Sequence, residues 1–400
     1  MGVTAFSWTL VITLLLKIAS VAGMVLLALP FLIMLLMHRW AKNKGLVFVI
    51  PILLSHLLAQ AQPLAPSYPP NEPAVTPGWQ KAIDENPNLV RRTQEDAFAG
   101  GLFQMGLKFL KGKEFSQDYK AAAELFRQAG ERGDSRAQYY LAQLYLHGRG
   151  VSRDPVEALK WYRQSAEKGH PLAQFDLGQL YRRGQEIPKD YSESIKWYRE
   201  SAQQGYPSAQ LNLGVMYENG IGVPRNYKTA FQWYSKAAEQ GNPPAQYNLG
   251  QFYRQGYGVS RDNAAALKWY RLSAGHGYTE AQYILGQLYR QGRLVPQDYQ
   301  EALKWYRLAA DKGHADSQLN LGAMYFEGLG VQKDPQEAVK WYGKAAEKGE
   351  AMAQYNLGQM YLLGQGIPPD KNRAVQWFRK AAKQGFEPAN KKLHTLGLEG

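Results

Sequence analysis

Residues 245–277 read AQYNLGQFYRQGYGVSRDNAAALKWYRLSAGHG. Ala245, Leu249 and Tyr253 stand at i, i+4 and i+8, which places them on one face of an α-helix. Gly256 follows, at the position where a helix commonly ends in the left-handed region. Asp262 then offers a side-chain acceptor to the free N–H groups of a second helix, which runs through Ala266, Trp269, Tyr270 and Ala274 to Gly277. The stretch is a helical hairpin.

The hairpin recurs every 36 residues without an insertion, eight times over residues 98–385. Gly133, Gly169, Gly205, Gly241, Gly277, Gly313, Gly349 and Gly385 close the copies. Trp161, Trp197, Trp233, Trp269, Trp305, Trp341 and Trp377 keep one phase, with Leu125 in that place in the first copy. The tryptophan is expected at a core position, most deeply buried in a central copy at Trp269. Pro171, Pro207 and Pro243 fall near the start of the first helix (A), where a missing N–H costs nothing. The second helix (B) follows Asp118, Asp154, Asp190, Asn226, Asp262, Asp298, Asp334 or Asp370. In four copies Glu157, Glu193, Glu301 or Glu337 stands three residues later, an Asp-headed version of the capping box. A lone hairpin cannot bury its apolar face, so the copies are expected to stack into an all-α solenoid superhelix.

A longer period lies beneath the first. Leu177–Glu200 matches Leu285–Leu308, 108 residues on, at 15 of 24 positions, but its immediate neighbour Leu213–Lys236 at only 8. Residues 134–241 and 242–349 therefore read as duplicated triplets, and surface features should recur every third copy.

The pattern Leu-Gly-x-x-Tyr-x-x-Gly-x-Gly-Val … Asp … Ala-x-x-Trp-Tyr … Ala-Ala-x-x-Gly resembles the Sel-one-like repeat family, relatives of the tetratricopeptide repeat. The resemblance implies an α/α superhelix used for protein–protein interaction or scaffolding. It also implies kinship with bacterial envelope proteins that assist the assembly of surface or secreted machinery, some of them at the host interface. Phe109 and Leu125 depart from the pattern in the first copy, and only an A-like helix over Pro388–Leu396 remains after residue 385. Both ends read as caps, the last one spanning 386–400 with its tail.

Composition narrows the function. The chain has 400 residues and no cysteine, which excludes disulfides, cysteine-ligated metals and thiol catalysis. Residues 1–61 carry four basic side chains and no acid; the rest holds 43 basic and 34 acidic ones, a balance of +9. A mildly basic body suits anionic partners, but it lacks the concentrated basic blocks of a nucleic-acid binder.

Residues 18–37 form an uncharged run of twenty, enough to span a hydrocarbon core of about 30 Å. After Arg39, Lys42 and Lys44 a second apolar run, Leu46–Leu58, ends in Ala59-Gln60-Ala61. Read from Met37, this is a secretory signal with a basic region, an apolar region and a small-x-small cleavage site, giving a mature start at Gln62. The other model is a membrane hairpin with loop 38–44 inside, which would tie the chain to the membrane. Both put the repeats outside the cytoplasm, as a periplasmic or secreted domain. Six prolines within 63–77 make a semi-rigid spacer in the 62–97 linker, and 78–97 is expected to hold at most one short helix.

Other motifs have plain structural readings. Gly148-x-Gly150 and its equivalents lack the lysine and preceding strand of a phosphate loop and read as interhelical turns. Ser165-x-x-Lys168 has the spacing of a penicillin-interacting nucleophile but none of the accompanying motifs; it reads as a helix end. Some cysteine-rich members of the repeat family are described as β-lactamases, and this chain lacks their cysteines. His170 and His314 share a loop position and show no metal spacing. Lys160, Arg163 and their equivalents read as a solvated helix B face with ordinary ion pairs.

By analogy with the tetratricopeptide groove, the concave face takes helix A positions that vary while the core stays constant. These are Tyr139, Gln143, Gln179, Arg182, Arg183, Tyr247, Gln251, Arg254, Tyr283, Gln287 and Arg290. Tyr, Gln and Arg form an adaptable, cationic interaction surface. The reading is a non-enzymatic extracytoplasmic scaffold that binds a protein or peptide of acidic character, with no cofactor and no metal. The alternatives are the same solenoid on an anionic envelope glycan and, more remotely, a cell-wall or β-lactam hydrolase.

Overall fold

The computed structural model describes residues 87–112 and 116–398, which hold seventeen α-helices and no strand. They are α1 (Pro87–Lys111), α2 (Tyr119–Glu131), α3 (Ser135–His147), α4 (Pro155–Glu167), α5 (Pro171–Arg183), α6 (Tyr191–Gln203), α7 (Pro207–Asn219), α8 (Tyr227–Glu239) and α9 (Pro243–Gln255). The order continues with α10 (Asn263–Gly275), α11 (Thr279–Gln291), α12 (Tyr299–Asp311), α13 (Ala315–Glu327), α14 (Pro335–Glu347), α15 (Ala351–Leu363), α16 (Lys371–Ala382) and α17 (Glu387–Thr395). Odd-numbered helices from α1 to α15 are the A helices and even-numbered ones the B helices of eight hairpins. Each B helix packs on the A helix of its own repeat and on the A helix of the next, which is a solenoid. The two apolar N-terminal runs lie outside the described residues. Among the described residues no helix is long and apolar enough to cross a membrane.

The helix ends follow from the residues there. Seven A helices stop at a glycine with φ between 64° and 78°, from Gly148 to Gly364. Every B helix starts at its Asp or Asn, whose side chain accepts a hydrogen bond from one or two free N–H groups. The expected capping box does not form. The N–H of Asp154, Asp190, Asp298 and Asp334 already donates to a helix A tyrosine carbonyl, leaving the glutamate nothing to reach back for. Glu157, Glu193, Glu301 and Glu337 instead pair with the lysine three residues on, at 2.8–3.5 Å. Helix α1 also differs from expectation: the lead-in continues unbroken through residue 98 into the first A helix.

The core of each repeat is the residue after the tryptophan. Tyr198, Tyr234, Tyr270, Tyr306 and Phe378 are 0% exposed, whereas Trp233, Trp269, Trp305 and Trp377 are only half-buried. The expectation that Trp269 is the deepest side chain is thus corrected to Tyr270. The reason is a glycine on helix A. Gly178, Gly214, Gly250, Gly286 and Gly358 each face one of these rings, and Gly322 faces the buried Tyr342; a Cβ at any of them would stand 2.4–2.8 Å from the ring. The missing Cβ lets the ring approach the helix A backbone, and the tryptophan beside it is less deeply placed, buried at Trp161, Trp197 and Trp341 and half-buried in the other four repeats.

Repeats are bolted together by a buried glutamine ladder. Gln138, Gln174, Gln210, Gln246, Gln282, Gln318 and Gln354 each donate from Nε2 to a carbonyl in the last turn of the preceding B helix, at 2.8–3.1 Å. In four rungs the amide oxygen accepts in turn from Gln204, Gln240, Gln384 or the ring of His276. Where a lysine takes that place, at Lys168, Lys312 and Lys348, it donates instead to the carbonyl of Gly133, Gly277 or Gly313. Gln138, Gln282 and Gln318 then keep an unpaired oxygen.

Candidate interaction face of the A helices

The A helices α3, α5, α9 and α11 present the positions singled out as the groove. The aromatic at the first of them is braced by the glutamine one turn later. Gln143, Gln251 and Gln287 donate to the hydroxyls of Tyr139, Tyr247 and Tyr283 at 2.6–2.8 Å. Both side chains follow from i, i+4 spacing on one helix face. Tyr139 is 8% exposed, and its hydroxyl donates across to Asp176 on the next A helix at 3.1 Å. Its hydrogen bonding is spent inside the protein. Tyr247 and Tyr283 remain half-exposed.

Asp176 is the one A-helix carboxylate tied into that brace, taking Tyr139 and, at 3.4 Å, Gln143. Burial pushes its pKa above the ordinary carboxylate value, and these two hydrogen bonds pull it back only in part. Four of the equivalent positions hold Asn212, Asn248, Asn320 and Asn356, and two hold Tyr140 and Ile284.

The arginines are distributed unevenly. Arg183 is exposed and donates to Gln179 Oε1 at 2.7 Å. Arg182, Arg254 and Arg290 are half-buried and lie beside Tyr198, Tyr270 and Tyr306 of the B helices, where each guanidinium opposes the upward pKa shift that burial imposes on the phenol. The sequence suggested that these arginines approach the groove Tyr or Phe; Arg290 also acts on the groove phenol of Tyr283, and Arg254 lines one hollow with Tyr247. None of the four arginines has an acid within ion-pair distance. Glu218 and Arg254 line one hollow of about 340 Å³ with Tyr247, Gln251 and Tyr257, yet they do not pair. Glu218 accepts from the hydroxyl of Tyr234.

The helix B face is the opposite case. Lys160, Lys196, Lys304 and Lys340 are matched by glutamates. Arg127, Arg163, Arg199 and Arg271 each reach the hydroxyl of a tyrosine on the next A helix, from Tyr145 to Tyr289. These arginines are used for inter-repeat packing, and the paired lysines stay within their own helix.

The tempting motifs resolve as structure. Ser165 donates to the carbonyl of Ser135 at 2.6 Å, and Ser201 and Ser273 repeat the bond one and three repeats on. The nucleophile-like hydroxyl is therefore a rivet between repeats. A Cβ at Gly150 would stand 2.2 Å from the Tyr119 carbonyl, so the Gly-x-Gly turns are closed on backbone, with no room for a phosphate. His170 and His314 are N-caps of α5 and α13, accepting from Ala173 N–H at 3.3 Å and Ser317 N–H at 3.2 Å. Among the described residues no group of three or more histidine or acidic side chains is placed to hold a metal ion.

Stacked helical hairpins of constant length, with one variable polar face, define an α-solenoid of the tetratricopeptide-like class. Residues 99–134, 135–170, 171–206, 207–242, 243–278, 279–314, 315–350 and 351–386 each match the Sel1 repeat. The chain belongs to the Sel1 repeat family. The repeat bounds sit one residue later than those marked by the closing glycines. Among solved structures, c5321, a protective antigen of uropathogenic Escherichia coli with an SLR fold, is 37% identical with a TM-score of 0.70, over 77% of this chain and 67% of its own. A Sel1 repeat protein from Oxalobacter formigenes is 34% identical with a TM-score of 0.63, over 84% of this chain and 98% of its own. No curated protein matches the chain significantly.

Proposed function

We propose that this protein is a non-enzymatic adaptor outside the cytoplasm, holding a carboxylate-rich segment of a protein partner along its A-helix face. One observation carries the reading: Arg182, Arg183, Arg254 and Arg290 have no acid partner, while the exposed helix B lysines at 160, 196, 304 and 340 do. A guanidinium left unpaired beside aromatic rings suits bidentate contact with a carboxylate. An extracytoplasmic place is supported by the order of basic and apolar residues over 37–61 and is in keeping with the similarity to a protective antigen.

The full chain bearing Arg182→Ala, Arg254→Ala and Arg290→Ala should fold normally and bind its partner about 2 kcal/mol or more weaker, the scale of buried charged contacts. Lys160→Ala, Lys196→Ala and Lys304→Ala together should change binding little. If the lysine set abolishes binding and the arginine set does not, the site is the helix B face. Capture from an envelope extract should be lost after protease treatment; capture that survives it marks a glycan. N-terminal sequencing of the exported protein is expected to begin at Gln62.

A further inference from the structure

We infer that the hollow between the C-terminal ends of α2 and α4 binds a primary alkylammonium group, either the side chain of a partner's lysine or a small free amine. The site is independent of the A-helix groove, and its ligand carries the opposite charge.

The hollow measures about 420 Å³ and is lined by Gly130, Glu131, Gln138, Trp161, Gln164 and Glu167, with Lys168 beside them. Gln138 is 3% exposed, and its Oε1 is buried without a hydrogen-bond partner. In four other rungs of the glutamine ladder that oxygen accepts from the residue equivalent to Lys168, so it faces the same side here. Lys168 leaves it free, because its ammonium is held by the Gly133 carbonyl at 2.8 Å. A buried acceptor without a donor is costly, and an entering ammonium brings three donors.

The charge of the lining has the matching sign. Glu131 and Glu167 outnumber Lys168, and among the described residues neither carboxylate is in an ion pair. Each is the last residue of its helix, where the dipole disfavours an acid and favours a cation.

Other repeats of the chain show what fits. Lys236, Lys344 and Lys380 stand three residues after their tryptophans and place an ammonium 4.5, 3.8 and 3.9 Å from the ring centroids of Trp233, Trp341 and Trp377. A cation over an indole face is attracted by the ring. After Trp161 that position holds the neutral Gln164. Lys160 approaches the Trp161 ring only to 6.0 Å and is tied to Glu157. Gln282 and Gln318 also keep an unpaired oxygen, but there Leu308 and Lys344 stand in place of Gln164.

A second departure acts on the same hollow. Gly130 occupies a position that is alanine in the other seven repeats, from Ala166 to Ala382. A Cβ at Gly130 would stand 3.1 Å from Gln138 Cγ and 3.2 Å from Trp161 Cζ3, tighter than ordinary contact. Glycine weakens a helix relative to alanine, yet here it keeps the space between the buried oxygen and the indole open.

The test follows the indole N–H resonance of Trp161 in the full-length, nitrogen-15-labelled protein, identified by its loss in Trp161→Phe. The probes are n-pentylammonium and lysine capped as the acetyl methylamide, with n-pentanol and capped norleucine as neutral counterparts. Both amines should shift the resonance saturably and bind about tenfold or more tighter than the neutral probes. Tighter binding of capped lysine identifies a partner's lysine as the natural ligand, and tighter binding of pentylammonium a free amine. Gln164→Lys should weaken amine binding about tenfold without lowering Tm, since its ammonium covers Trp161 as Lys344 covers Trp341. Gly130→Ala should weaken binding and keep or raise Tm, and Glu131→Gln with Glu167→Gln should weaken it with folding intact. Arg182→Ala, Arg254→Ala and Arg290→Ala together should leave amine binding at the parent value, which separates this site from the groove. Equal affinity for amines and neutral probes overturns the inference. So does unchanged amine affinity in both Gln164→Lys and Gly130→Ala.

Discussion

His170 and Asp176 show opposite ways in which single titratable side chains are set by their surroundings. His170 caps α5 by accepting at Nδ1, which requires the neutral ring. Burial is the largest influence on it and lowers its pKa from the ordinary 6.5. A folded pKa below the unfolded one means full stability above about pH 6.5, lost as pH falls through the folded value. His170→Asn keeps an acceptor, as Asn242 does in its own repeat, and should flatten the Tm profile between pH 7 and 5. Asp176 has the reverse sign. Its folded pKa is raised, so the stability it contributes is present below the unfolded value and lost as pH rises through the folded one. Asp176→Asn should therefore raise Tm at pH 7 and have no effect near pH 3. A Tm at pH 7 equal to or below that of the parent would contradict the burial argument. The donor to His170 lies three residues on in the same helix, whereas the partners of Asp176 were not legible in the sequence, because they are set by how helices meet.

At the scale of the helix, the alternation of glycine and tyrosine decides where the core lies. Tyr270 sits at 0% exposure against Gly250, and Trp269 is half-buried on the flank. Tyr270→Ala should cost about 3–5 kcal/mol, the range for deleting a buried aromatic side chain. Trp269→Ala should cost roughly half as much, since part of its ring already meets solvent and Lys268. Urea melts of the two variants settle the order, and a larger loss at Trp269 would return the core to the tryptophan. The period of the sequence places both residues on the inward side of helix B, but they are adjacent in the chain. Which one is deeper depends on a glycine twenty residues away on another helix.

Across the whole molecule, cohesion comes from contacts between consecutive repeats, so a central rung of the glutamine ladder has unusual reach. Gln246 donates to Ala238 at 3.1 Å and receives His276 at 2.9 Å, joining three successive B and A helices. Gln246→Ala leaves the His276 imidazole without its acceptor and takes one of two hydrogen bonds from the Ala238 carbonyl, which keeps that of Gly241 N–H. It should cost about 2–3 kcal/mol and split unfolding into two phases, because a nearest-neighbour solenoid breaks at its weakest interface. A single, uniformly shifted transition would show that cooperativity passes that rung by other contacts. Gln246 belongs to the repeating Ala-Gln pair, yet its role is invisible in one hairpin: its acceptor lies eight residues upstream, in the previous repeat.

Helix ends, repeat length and stacking are determined by the sequence alone, because capping Asp, terminal Gly and 3.6-residue periodicity act over a few neighbouring residues. The threefold super-period was legible for the same reason: it is identity along the chain. What only the tertiary structure decided is which polar groups are left over. Glu157 and its equivalents lost their capping partner to a carbonyl on helix A. Lys168 bypassed Gln138, and Arg182 and Arg290 came to lie beside the buried phenols of Tyr198 and Tyr306. Hydrogen bonding is settled by competition among groups brought together from different repeats, and linear spacing does not record who reaches an acceptor first.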